Sequence, residues 1–123
     1  MKRIILSIFL FFTFLAFSQQ KTIHSNFNAN DIAKEAKTGH FQWVFPTETS
    51  AEEIQNTAKY YTTSFTVNFN AESKVVDLFP VVDSEDTRRV MLRFLGANQV
   101  NKILVGTEEF LLWEYYDKFM KFN

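Results

Sequence analysis

The chain has 123 residues, 13 Lys and Arg against 14 Asp and Glu, 15 phenylalanines and no cysteine. A near-neutral balance with dispersed lysines lacks the footprint that nucleic acid or anionic lipid requires. The missing cysteines exclude disulfides, thiolate metal ligands and a lipoprotein anchor, so one hydrophobic core has to hold a small domain.

The first segment, "MKRIILSIFLFFTFLAFSQQ", has a cationic start at Lys2 and Arg3, an apolar run from Ile4 to Phe17, and Ala16-Phe17-Ser18 as a small-x-small cleavage site. That pattern predicts a secretory signal peptide over 1–18, cleaved before Gln19. The apolar run is too short to span a bilayer, which needs about 20 residues. No membrane insertion is expected after cleavage, and the destination is periplasmic or extracellular. Cleavage removes two of the 13 basic residues and none of the 14 acidic ones, leaving a net charge of −3 with His neutral.

Residues 19–38 read as a polar, Asn-rich leader in which "DIAKEAKTG" can form one short helix, capped by Asn30 and leaving through Gly39. "HFQWVFP" alternates, with Phe41, Trp43 and Phe45 on one face, and Pro46 ends the strand. Ser50 and Glu53 form a capping box for a helix through about Tyr60. "TSFTVNF" and "KVVDLFP" are two further alternating runs joined by "NAES", which predicts a hairpin. A second helix, capped by Asp83 or Ser84, places Val90, Met91, Phe94, Leu95 and Asn98 on one arc and Glu85, Asp86, Arg89 and Arg93 on the other. "NKILVG" reads as a last strand. "EEFLLWEYYDKFMKFN" reads as a terminal helix, with Glu114–Lys118 and Asp117–Lys121 as four-residue pairs.

"FPTETSAEE" at Phe45–Glu53 returns as "FPVVDSED" at Phe79–Asp86, an offset of 34. Both halves are strand-helix-strand units. Interleaved with right-handed crossovers, they predict an α+β, ferredoxin-like split βαββαβ fold over 39–123. The expected body is a four-stranded antiparallel sheet with two helices on one face, and an extra C-terminal helix packing over the uncovered face at Trp43 or Val44. This order of elements resembles the heavy-metal-associated domains, over roughly Phe41 to Gly106. Those domains hold soft metal ions through a Cys-x-x-Cys at the first strand-helix junction. Here that junction is "PTETSAEE", so the resemblance implies a fold and carries no metal function. "TAKYY", "FTVNFN" and "RFLGANQV" also resemble small exported bacterial proteins of uncharacterised function, which implies no activity.

Acidic residues crowd both junctions, so capping outweighs anion binding there. His24 and His40 lie in no catalytic or metal-ligand spacing, three glycines make no phosphate loop, and the paired carboxylates sit at helix starts. No catalytic residue, metal or other cofactor is expected. Arg88, Arg89 and Arg93 are the one basic cluster; Glu85 pairs with Arg89 on a solvated face, and ligand binding is the minor reading. Phe110, Trp113 and Met120 exceed what one helix face can bury and form a candidate interaction patch. The expected function is therefore an exported, non-catalytic binding or interaction module for a protein partner or a second copy. The alternative is an inhibitor or propeptide-like chaperone of a secreted protease, by fold analogy. A small enzyme comes third and requires a pocket collecting Arg88 or Arg93, a carboxylate and a histidine.

Overall fold

The computed structural model of the protein describes residues 20–122, so the predicted signal peptide and its cleavage point lie outside the described residues. The chain forms β1 (Lys21–Ser25), α1 (Ala29–Glu35), β2 (Phe41–Val44), α2 (Ala51–Ala58), β3 (Phe65–Phe69), β4 (Val75–Pro80), α3 (Glu85–Ala97), β5 (Val100–Val105), β6 (Glu108–Leu111) and α4 (Leu112–Tyr115). A 3₁₀ turn at Ala36–Thr38 extends α1, and a π-helical turn at Tyr116–Met120 extends α4.

The strands form one sheet in the order β3-β4-β2-β1-β5-β6. All neighbours are antiparallel except β1 and β5, which run parallel. The molecule is α+β, but the expected four-stranded antiparallel sheet with two helices on one face is overturned. The described residues form six strands in one mixed sheet, and four α-helices. The β3–β4 hairpin forms, and β4 lies beside β2. β4 of the second strand-helix-strand unit fills the gap between β2 and β3 of the first, but β5 does not pair with β2, because β1 lies between them.

The segment read as a leader thus supplies an interior strand. Its backbone pairs on both sides: His24 stands opposite Val44 on β2 and Leu104 on β5. Ile23 is fully buried while Thr22 and His24 are exposed, so a single apolar side chain marks the strand in the sequence. The helix that follows is capped by Asn28, whose side chain accepts from the Asp31 N–H at 2.9 Å, rather than by Asn30.

The other junctions follow local chemistry. Ser50 accepts from the Glu53 N–H and Ser84 from the Thr87 N–H, each at 3.1 Å, so both members of the repeated motif serve as helix caps. Gly39 leaves the 3₁₀ turn at φ 77°, the left-handed exit a Cβ disfavours. At the far end, Gly106 at φ 62° opens a two-residue turn that pairs Val105 with Glu108. That is the primed-turn requirement for a tight hairpin. Glu108–Leu111 therefore becomes β6 instead of the first turn of a terminal helix, and α4 begins only at Leu112.

One core lies under the sheet. Phe41, Trp43, Phe65, Val76, Leu78 and Ile103 project from the strands to meet Ile54 of α2 and Met91, Phe94 and Leu95 of α3. The Phe94 ring meets Phe65 and Tyr61 edge-on at 5.5 and 5.7 Å. Thr57 donates to Asn98 Oδ1 at 2.9 Å and Asn98 Nδ2 donates to the Phe94 carbonyl at 2.9 Å, which ties α2 to the end of α3. Tyr115 of α4 packs on Trp43 at 6.1 Å, within this same core. The terminal helix therefore meets Trp43 as expected but shares the layer of α2 and α3, and among the described residues no helix covers the opposite sheet face, contrary to the sequence expectation. Thr22, His24, Thr66 and Asn68 are exposed on that face, and Val44, Val75 and Leu104 are half-buried.

Candidate functional site

The three residues of the expected interaction patch, Phe110, Trp113 and Met120, separate. Phe110, on β6, is 8 % exposed and meets Phe119 edge-on at 5.4 Å, and Met120 is completely buried. Trp113 is 64 % exposed and has Leu111 as an exposed neighbour at the β6–α4 junction. The junction is held by Glu114, whose Oε1 accepts from the Leu111 N–H at 2.8 Å instead of pairing along the helix with Lys118. β6 is an edge strand and carries two exposed acids, Glu108 and Glu109, the second paired with Lys102 of β5 at 2.9 Å. Charges on an edge oppose strand addition, so the side chain of Trp113, rather than the β6 backbone, is the available contact.

The arginines separate as well. Arg89 and Arg93 are exposed, and Arg89 pairs with Glu85 at 2.7 Å across one helical turn. Arg88 is 5 % exposed. Its Nε donates to Asp83 Oδ1 at 2.9 Å and its Nη2 to Asp83 Oδ2 at 2.8 Å, a two-pronged ion pair. Nη1 donates to the Met120 carbonyl at 3.2 Å, and Nη2 also donates to the Ala36 carbonyl. The guanidinium lies over Phe41 at 5.6 Å and Phe122 at 4.9 Å. One side chain thus joins the start of α3, the end of α1 and the π-helical turn. Its partner Asp83 lies before the helix and the two carbonyls come from distant segments, so no helical spacing marks Arg88 as buried.

His40, just before β2, is the most contacted ionisable residue on the other side of the sheet. Its Nδ1 meets Glu35 Oε2 at 3.0 Å and its Nε2 meets Asp77 Oδ1 at 2.7 Å. Gln42 Nε2 donates to the same Asp77 oxygen at 2.6 Å, and Asn26 donates to Gln42. The Phe79 ring stacks on the imidazole at 4.2 Å and Phe27 meets it edge-on at 5.5 Å. Each ring nitrogen thus has a carboxylate partner. The arrangement ties the entry of β2 to α1 and β4.

A cleft of about 430 Å³ opens beside Arg88 and Asp83 at the meeting of α1, α3 and the C-terminal turn. Its lining contains an arginine and a carboxylate but no histidine, and His40 is not part of it. Among the described residues no group of three or more His, Asp or Glu is placed to hold a metal ion, and no helix is long and apolar enough to cross a membrane. Compared with known proteins, the chain matches no family model, no curated protein and no solved structure.

Proposed function

We propose that the protein is an exported, non-catalytic interaction module whose contact surface centres on Trp113, with a second copy of the chain as the first partner to test. The observation that carries this reading is the exposure of Trp113, 64 % on a domain whose other tryptophan, Trp43, is completely buried. Tryptophan is highly buried on average, and it is enriched among the residues that carry most of the energy of protein contacts. Leu111, 40 % exposed, extends the apolar area beside it. Export rests on the charged start, apolar run and small-x-small site of the first 18 residues.

Trp113 also reports on the contact. Sedimentation velocity over a concentration series, read with tryptophan emission, should show association together with a blue shift, and Trp113→Ala should abolish both without changing the urea midpoint. A protein that stays monomeric and captures no exported partner through Trp113, or a Trp113→Ala variant that associates like the wild type, removes the reading.

A further inference from the structure

We infer that the cleft beside Arg88 is a binding site for a small organic anion with an apolar body, such as an aromatic carboxylate or sulfonate. Lys37 from the 3₁₀ turn and Lys118 and Lys121 from the C-terminal turn line it together with Arg88, and Asp83 is the only acidic side chain among the described lining residues. Four cationic groups against one anionic group reverse the sign of a chain whose net charge is −1. A concave site lined by one sign of charge concentrates ligands of the opposite sign.

Asp83 is spent on Arg88, so the acid does not neutralise the lysines. Lys121 meets Asp117 at 3.7 Å, with both side chains more than half exposed, a weak pairing. Lys118 holds its ammonium over Phe119 of the cleft wall at 5.7 Å and over Phe110 at 5.3 Å, and has no ion-pair partner among the described residues. Lys37 has no ion-pair partner among the described residues.

The base of the cleft is built rather than accidental. A guanidinium carries five N–H donors, and Arg88 uses four of them on Asp83, Ala36 and Met120. It is therefore fixed in place beneath the lysines, with one donor in reserve. The π-helical turn contributes both sides of the arrangement: the Met120 carbonyl accepts from Arg88, while Lys118 and Phe119 line the cleft. Phe119 and Phe122 give the cleft apolar walls, and Phe122 lies across the Arg88 guanidinium. Convergent cations over an apolar wall fit an anionic headgroup on a flat or acyl body, which is the usual composition of a small-molecule site.

The probes are naphthalene-1-sulfonate, the neutral 1-naphthalenemethanol and inorganic phosphate, titrated by calorimetry into the purified protein. The double variant Lys37→Glu/Lys118→Glu is compared with Lys59→Glu, a charge reversal outside the cleft. Naphthalene-1-sulfonate is expected to bind with Kd below about 1 mM, a free energy beyond about −4.1 kcal/mol. It should bind at least tenfold more tightly than either of the other two probes. The double variant should lose at least tenfold in affinity while keeping the wild-type circular dichroism, and Lys59→Glu should change nothing. No binding of naphthalene-1-sulfonate to the wild type overturns the inference. So does equal binding of the neutral alcohol or of phosphate, or an unchanged affinity in the double variant.

Discussion

Replacing Arg88 by Met keeps the length and apolar stem of the side chain and removes every bond its guanidinium makes. The lost contacts are the paired bonds to Asp83 and the bonds to the Ala36 and Met120 carbonyls. Removing one partner of a buried ion pair costs about 3–5 kcal/mol, because the other partner is left desolvated. The Asp83 side chain is 20 % exposed and can recruit water, whereas Arg88 is 6 % exposed. That difference puts Arg88→Met near the lower end, about 3 kcal/mol, and makes Asp83→Ala at least as costly, since it strands the more deeply buried charge. At about 4 °C per kcal/mol for a domain of this size, Arg88→Met should lower Tm by about 12 °C. Urea unfolding followed by circular dichroism measures both single variants and the Asp83→Ala/Arg88→Met double. The double should cost well below the sum of the singles, because each partner is orphaned only when the other remains. A loss under about 1 kcal/mol for Arg88→Met, or strict additivity, would show that the guanidinium is not the tie among three segments described above.

The remaining predictions concern the core and its junctions. Ile23→Ala should lower stability by about 2–4 kcal/mol in urea, as truncation of a filled core does, while Thr22→Ala on the same strand should stay within about 0.5 kcal/mol. Gly39→Ala places a Cβ 2.7 Å from both Asp83 Oδ1 and Pro80 Cγ at a φ of 77°. It should cost at least about 1–2 kcal/mol from the left-handed backbone alone, with a further loss as Asp83 is pushed off Arg88. Burial pushes the Tyr115 hydroxyl above its ordinary value of 10.0. The unfolded chain then releases this proton at lower pH than the folded one, so stability is intact below about pH 10 and falls above it by up to about 1.4 kcal/mol per pH unit. Urea midpoints taken between pH 8 and 11 should show Tyr115→Phe losing less in the alkaline range than the wild type does.

Local signals carried well where one face of an element is buried and its ends are punctuated. β2 alternates cleanly because Phe41, Trp43 and Phe45 all enter the core, and the Ser50 and Ser84 caps stand where their spacing places them. β1 was not legible because an interior strand with one solvent face needs only one apolar residue if its backbone is paired on both sides. Lys-Thr-Ile-His-Ser offers just Ile23. β6 was hidden by its continuation: Phe110, Leu111, Leu112 and Trp113 form an unbroken apolar run that suits a helix as well as a strand, and the Gly106 turn decides between them. The Glu85–Arg89 pair was readable from its four-residue spacing, whereas the burial of Arg88 depends on carbonyls 52 and 32 positions away. The convergence of Lys37 with Lys118 and Lys121 is likewise a product of tertiary folding, with no trace in the local sequence.

The place of β1 also bears on how the molecule assembles. Without that strand the sheet divides into a β3-β4-β2 ribbon and a β5-β6 ribbon that share no ladder. The first can zip up from neighbouring segments, but its union with the second waits until Lys21 finds Val100, a closure spanning most of the polypeptide. Contacts this remote in sequence slow folding. A five-residue wedge therefore acts as keystone, and damage to it should bring down both ribbons at once rather than loosen one end.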